Sequence, residues 1–581
     1  MREPEIGNSA TEATEGTERS KHMNTVLQAE TVSPRRWLRR PSALNTFAVA
    51  VAVLLAVPVI VVILNVFMPS QGTWDHLAAT VLPEYIRNSL GLLLGVAYGV
   101  VTIGVTAAWL TTMCQFPGRR LLEWGLLLPM AVPAYVMAYA YTDLLQFAGP
   151  LQTALRESMA WGPHDYWFPD VRSLLGAVAM LSFVLYPYVY LLARAAFLEQ
   201  SDSMLEVARA SGYGPWRTFA HVALPLARPG IVAGTALALM ETLADFGTVS
   251  YFGVQTFTTG IYRAWFSLGD PVAAAQLSAT LLGFVFAVLL SERMSRGRAS
   301  FHNTAHRKRL PYPYRLTGFK ALVALVACGI PLALGFFVPA GILLHLALAS
   351  GDVDFGTRYI ELTFNTVTLA LCTAGIAVLL ALLLAYAGRT APSRWVRWAN
   401  RVAGLGYAVP GAVVAVGVLI PVTRLDHALA GTIEWVTGVA PGLILTGGIA
   451  ALVYAYLVRF FAVSLQTVDA GLAKITPNMD AAARSLGLGP ASTLLRVHAP
   501  LLWRSTVIAG LLVFVDVMKE LPATFVMRPF NFDTLAVHAF NLASDERLAE
   551  ASTGALTIVA VGLLPIVLLS HFMLRQRPGA G

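Results

Sequence analysis

Leu205-Glu206-Val207-Ala208-Arg209-Ala210-Ser211-Gly212-Tyr213-Gly214-Pro215 and Asp480-Ala481-Ala482-Ala483-Arg484-Ser485-Leu486-Gly487-Leu488-Gly489-Pro490 read alike. Each is a charged island in an apolar chain. Each runs on to a shared Val and Pro, Val222 and Pro225 in the first, Val497 and Pro500 in the second. Glycines and prolines keep one offset of 275 residues. Self-similarity at a fixed separation marks a duplication. It extends outward: Asn88-Ser89-Leu90 matches Asn365-Thr366-Val367 and Ala131-Val132-Pro133 matches Ala408-Val409-Pro410, both at 277, while Thr259 matches Thr534 and Asp270 matches Asp545 at 275.

What is duplicated follows from composition. With 56% hydrophobic and 13% charged residues among 581, and a positive mean hydropathy, the chain lies outside the soluble globular range. Crossing a bilayer takes about 20 apolar residues. Such runs occur near 44–67, 88–112, 121–146, 172–196, 230–253 and 272–291, then near 319–348, 362–387, 401–422, 441–465, 505–527 and 551–574. The predicted fold is all-α and polytopic, about twelve transmembrane helices in two homologous six-helix halves. Six crossings return the chain to its starting side, so the halves insert in parallel about an axis along the membrane normal. The domains read as 1–43, a disordered basic N-terminus; 44–291, the first half; 292–318, a basic linker; and 319–581, the second half.

Lys and Arg are retained on the cytoplasmic side during insertion. Arg35, Arg36, Arg39 and Arg40, Arg119 and Arg120, the cluster from Arg293 to Lys320, and Arg389, Arg394, Arg397 and Arg401 share one face if about twelve spans alternate. Both islands fall there, and both termini read as cytoplasmic. The opposite loops carry Asp75, Glu84, Asp352 and Asp354. The net charge of +8 is mostly this asymmetry and does not imply nucleic-acid binding. Cys114, Cys328 and Cys372 form neither a disulfide framework nor a metal cluster.

Within the first island Ser203 and Glu206 make a capping box. Gly212 suits the left-handed position that ends a helix, and Gly214-Pro215 starts the next. The second copy lacks the box and has Thr476-Pro477 to begin its helix and Gly487 to end it. Ala208 and Ala210, with Ala483 and Ser485, predict a shallow face that a partner's groove approaches. An interfacial amphipathic helix would need neither the turn nor the second copy.

The order Glu206, Val207, Ala208, Gly212, Val222, Leu224, Pro225 resembles the EAA loop of permease subunits of binding-protein-dependent ABC importers. In the second copy Ala481 stands where the acid is expected, with Asp480 one place earlier; Gly487, Val497 and Pro500 keep the pattern. The resemblance covers nearly the whole chain from residue 44. It implies two separate ABC ATPase subunits docked on the islands, a substrate-binding protein on the outer face, and a cell inner-membrane location. Glu241 to Gly253, Thr258 to Trp265, Lys519 to Thr524 and Arg528 to Ala536 resemble the fused ferric-iron permeases. Thiamine or another small solute is the alternative cargo.

Five lysines are present, Lys21, Lys308, Lys320, Lys474 and Lys519. None precedes Ser or Thr, so there is no Walker A loop, and neither a zinc helix nor a nucleophile elbow is present. The chain is read as a transport subunit without a cofactor or metal, not an enzyme. Its intramembrane charges are Glu241 and Asp245 in one span and Asp516, Lys519 and Glu520 in the matched one. Such charges mark a pathway, a gate or a partner. A ring of four carboxylates would suit a hard cation; the blander reading pairs Asp516 with Lys519 and uses the rest as helix caps or a gate. An ion-coupled secondary transporter would explain the acids but not the islands, and a membrane scaffold would explain the islands alone.

Overall fold

The computed structural model describes residues 43–70, 72–200, 206–208, 210–296, 314–349, 356–390 and 393–575. The predicted capping serine Ser203, the N-terminus and most of the linker lie outside them. Backbone polar groups have no water partners in hydrocarbon, so a spanning chain satisfies them within helices. Among the described residues eleven helices are long and apolar enough to cross, or twelve if the pair Arg119–Ala131 and Ala134–Met159, bent by 94°, is one broken span.

We number the principal helices α1 (Ala43–Asn65), α2 (Leu82–Met113), α3 (Ala134–Leu145), α4 (Leu174–Glu199), α5 (Leu224–Ala244) and α6 (Pro271–Arg296) in the first half. The second half has α7 (Phe319–Ala349), α8 (Thr357–Thr390), α9 (Gly411–Thr437), α10 (Ala450–Leu472), α11 (Ala499–Met518) and α12 (Leu548–Arg575). The strand content among described residues is one parallel pairing of Cys114–Gln115 with Tyr314–Arg315.

Five predicted runs are corrected. The run at 121–146 breaks at Pro133, and that at 401–422 at Pro410, each after a 3-10 turn. Proline cannot donate to the ladder. The runs at 230–253 and 505–527 end at Ala244 and Met518, and short helices Gly247–Tyr251 and Pro522–Met527 follow. The run at 441–465 becomes helical only at Ala450. Before it, Asp426 Oδ1 accepts from Ile444 N at 2.8 Å and Leu445 N at 3.0 Å, and its Oδ2 from Thr446 N at 2.9 Å. Hydropathy registers depth in the membrane and is blind to these interruptions.

Small residues set the packing. Gly91, Gly95, Gly99 and Gly104 of α2 face Leu174, Val178, Ser182 and Val189 of α4 in that order, so the two helices run parallel. A Cβ at Gly95 would stand 2.8 Å from Val178 Cγ2, so the close approach needs glycine. On α8 Ala370, Ala374, Ala377 and Ala381 are buried, and Ala381 is the repeat counterpart of Gly104.

The first helix of each half packs on the other half. Helix α1 lies against α9, and α7 lies against α3 and α4. Pro58 leaves the Leu54 carbonyl without its helical donor, and Tyr454 Oη of α10 donates to it at 2.6 Å. In α7 a π turn at 333–337 moves the bond of Val338 N to Ala333 O, so Leu334 O would need a donor from Pro339. Tyr141 Oη of α3 supplies one at 2.6 Å. Two prolines thus create carbonyl acceptors that tie the halves together. The duplication is sequential along the chain, whereas the packing units interleave.

Candidate functional site

Two places collect the residues singled out in the sequence. The first is a cavity of about 130 Å³ between the halves. It is lined by Glu241 and Asp245 and by Asp516, Lys519 and Glu520, so the structure brings all five pathway candidates together. Its walls obey the repeat: Met130 and Tyr407, Val184 and Arg459, Leu185 and Phe460, Glu241 and Asp516, Ala244 and Lys519, and Asp245 and Glu520 are related by 275 or 277 residues. The acids are thus duplicated, while both cations belong to the second half.

The broken helices explain two of the acids. Asp245 stands just past the end of α5, where its Oδ1 accepts from Val249 N at 3.1 Å and its Oδ2 from Thr248 Oγ1 at 3.0 Å. Glu520 repeats this after α11, accepting from Ala523 N at 3.0 Å, Thr524 N at 3.1 Å and Thr524 Oγ1 at 2.8 Å. Orphan amides at a helix start favour an anionic partner. Asp516 takes Lys519 Nζ at 2.9 Å. Glu241 faces Arg459 Nη2 at 3.9 Å, and Arg459 Nη1 bonds Glu520 at 2.8 Å. No carboxylate ring forms. Among the described residues no group of three or more His, Cys, Asp and Glu side chains is placed to hold a metal.

Sequence reasoning passed over Arg459. Its signal was present, a lone arginine within the apolar run 441–465, the kind of charge that membrane depth makes costly. It also passed over Arg194 and Glu123, an ion pair joining α4 to the Arg119–Gly125 helix.

The second place is the pair of islands. Gly212 has φ +78° and Gly487 φ +80°. In both, an amide reaches back five residues, Tyr213 N to Ala208 O and Leu488 N to Ala483 O, each at 3.0 Å, the Schellman closure that a glycine in this conformation permits. Short helices then start at Pro215 and Pro490. Next comes a π turn, at 219–223 and 494–498, ending two residues before Pro225 and Pro500. Val222 and Val497 lie inside these turns. A widened turn accommodates a proline that cannot donate.

One expectation about the islands fails. Ala208 and Ala483 are buried, while Ala210 and Ser485 are exposed, so the small residues do not form one shallow outer face. Ala208 and Ala483 let each short helix sit tightly on its own chain. The outward surface is larger and more apolar, with Val207 and Trp216 in the first island and Met479 and Leu486 in the second.

The acids of the islands differ. Glu206 and Ala481 are exposed. Asp480 is clamped, with Arg389 Nε donating to its Oδ2 at 2.7 Å and buried His498 Nε2 standing 2.6 Å from its Oδ1. Arg389 also donates to the carbonyls of Leu472, Ile475 and Thr476. Partial burial raises the Asp480 carboxyl, but the bonds from Arg389 and His498 outweigh it and hold the group below the ordinary carboxylate range. In the first half Thr112 and Ala223 stand where Arg389 and His498 stand.

Residues 100–297 match the family described as binding-protein-dependent transport system inner membrane component. The chain is 31% identical over 223 residues to the molybdenum transport system permease protein ModB of Escherichia coli, covering 92% of that protein and 36% of this one. The chain belongs to the binding-protein-dependent transport permeases. It is therefore a multi-pass inner-membrane permease of an ABC importer. The permease is also 25% identical over 501 residues to the Fe(3+)-transport system permease protein FbpB 2 of Haemophilus influenzae, covering 84% of this chain and 90% of that one. It is 28% identical over 148 residues to the sulfate transport system permease protein CysT of Escherichia coli, 26% of this chain and 50% of that one.

Proposed function

We propose that the permease carries ferric iron, delivered by a binding protein, through the cavity between its halves, and that two separate ATPase subunits drive it from the islands. The observation that carries the cargo reading is the charge of the cavity, four carboxylates against two cations. An oxyanion such as molybdate or sulfate would meet a net excess of acid there, whereas a cation is attracted. The volume agrees. At about 130 Å³ the cavity has room for roughly four waters, and it is well below the roughly 300–1,000 Å³ of sites for organic ligands, which disfavours thiamine. The likeness to the Haemophilus protein spans both halves and supports iron within the class of cations.

In this reading 44–291 and 319–581 are the two permease domains, joined by 292–318, and the islands and termini face the cytoplasm. Val207, Trp216, Met479 and Leu486 offer apolar anchors to an ATPase groove, and the turns at Gly212 and Gly487 hold them rigid. ATP-driven approach of the ATPases would draw the islands together and switch the exposure of the cavity. Glu241, Asp245, Asp516, Lys519 and Glu520 form the pathway or its gate. A secondary transporter is disfavoured by the two exposed, identically turned islands.

The test is reconstitution. Purified permease is expected to bring down two copies of an ATPase chain, to hydrolyse no ATP alone, and to take up radiolabelled iron only with ATPase, ATP and iron-loaded binding protein. Uptake driven by an ion gradient without ATPase, or uptake of molybdate in place of iron, overturns the reading.

A further inference from the structure

The cavity's four acids are unequally committed. Asp245 and Glu520 each spend both oxygens on the helix that follows them, and Asp516 holds Lys519. Glu241 meets Arg459 only at 3.9 Å, beyond hydrogen-bond reach, and the Tyr407 hydroxyl is its hydrogen-bond neighbour. Arg459 itself is incompletely used. Its Nη1 bonds Glu520, while its Nε is buried without a hydrogen-bond partner. The guanidinium sits in a place made for it: a Cβ on Gly411 would stand 2.6 Å from Arg459 Nη1 and 2.7 Å from Glu520 Oε1. It reaches across the interface, from α10 of the second half to Glu241 of the first, and Val184 stands at its repeat-related position. One copy near the pseudo-twofold axis thus serves acids of both halves.

We infer that Arg459 is a tethered counter-cation, which neutralises Glu241 while the cavity is empty and yields that carboxylate to each passing cargo cation. This rests on the proposed cation pathway. A buried carboxylate without a counter-charge is costly and would draw any small cation from solution. A guanidinium fixed to the protein removes that cost without itself being transported. On arrival of cargo it withdraws towards Glu520, which holds it at 2.8 Å, and the Phe460 ring, whose centroid lies 5.2 Å from its Cζ. The loose contact to Glu241 and the tight one to Glu520 are what such an exchange requires. A lock meant only for stability would close both.

The experiment uses the permease with its ATPases in proteoliposomes, with ATP and cargo-free binding protein, and follows radiolabelled rubidium per assembled complex. Arg459→Gln is expected to raise rubidium uptake about tenfold, equivalent to about 1.4 kcal/mol. Arg459→Lys, which keeps the charge, is expected to stay within about twofold of wild type. Rubidium uptake in assembled Arg459→Gln equal to wild type, or an equal leak in Arg459→Lys, overturns the inference. Should Arg459→Gln fail to assemble, Arg459→Gln with Glu520→Gln removes the buried pair together and leaves Glu241 without its guanidinium. That double variant is expected to leak, and a tight one refutes the role. No cargo is present in the rubidium measurement, so it decides the role of Arg459 even if wild-type permease proves to carry something other than iron.

Discussion

The two islands share a turn and differ in what anchors it. Both end a short helix on a glycine near φ +80°, both close it with a five-residue amide bond at 3.0 Å, and both lead through a π turn to a proline. Only the second adds the Arg389, Asp480 and His498 clamp. The first half places its buried pair elsewhere, between Arg194 and Glu123; Asp469 and Asn400 hold the related positions in the second. After duplication the backbone geometry has been kept and the electrostatic anchoring has not. A turn depends on a few glycines and prolines whose conformational demands nothing else meets, whereas an ion pair can be moved wherever the local bundle has room.

The sharpest way to break this comparison is to remove the clamp. Arg389→Leu would leave the Ile475 carbonyl without its donor, take a second donor from the Leu472 and Thr476 carbonyls, and leave Asp480 with His498 alone, a loss of about 3 kcal/mol locally. Hydrogen exchange across 477–498 should accelerate about a hundredfold, while 210–223 stays unchanged. Glu206→Gln, at an exposed site, is expected to change stability by no more than about 0.5 kcal/mol. Equal loosening of both islands by Arg389→Leu would mean that the anchoring is shared after all.

The same division explains what could be read without coordinates. The spans, the duplication and the turns at Gly212 and Gly487 were legible because each rests on a local pattern, an apolar run or a residue of special backbone freedom. The crossing of α1 and α7 was not. It depends on Leu54 and Leu334 carbonyls freed by Pro58 and Pro339 and met by Tyr454 and Tyr141, residues far apart in the chain. The four intramembrane acids were found as a set because they come four apart on matched helices, and Lys519 came with them as the neighbour of Glu520. Arg459 was missed because it is single and has no counterpart in the first half. The burial of Ala208 and Ala483 was misread because small residues suit a close approach from either side.

A smaller effect sharpens the part that the islands share. Nothing stands within 4 Å of a Cβ built on Gly212 or Gly487, so substitution there meets backbone strain alone. Gly212→Val and Gly487→Val should each cost about 1–2 kcal/mol, with membrane insertion intact and ATPase affinity lowered about tenfold in each. The two losses should agree within about threefold. A much larger loss at one site would show that the equivalent turns carry unequal loads.

The smallest expected effect is a pH dependence confined to one island. Asp480 has a carboxyl lowered from 3.8 in the folded chain, so the folded state binds protons there less readily than the unfolded one. Its contribution is fully present above 3.8 and fades as pH falls through the lowered folded value. Arg389 keeps its charge throughout. Exchange protection across 477–498, corrected for intrinsic rates, should therefore hold from neutral pH to about pH 4 and fall only below it. Residues 210–223, in the half where Thr112 and Ala223 stand in place of Arg389 and His498, should show no clamp-dependent step. In Asp480→Asn the step should vanish and protection should be low at every pH, because the amide keeps the shape and loses the charge that Arg389 grips. A step that survives in Asp480→Asn would assign the pH dependence to another group and leave the clamp without an electrostatic role.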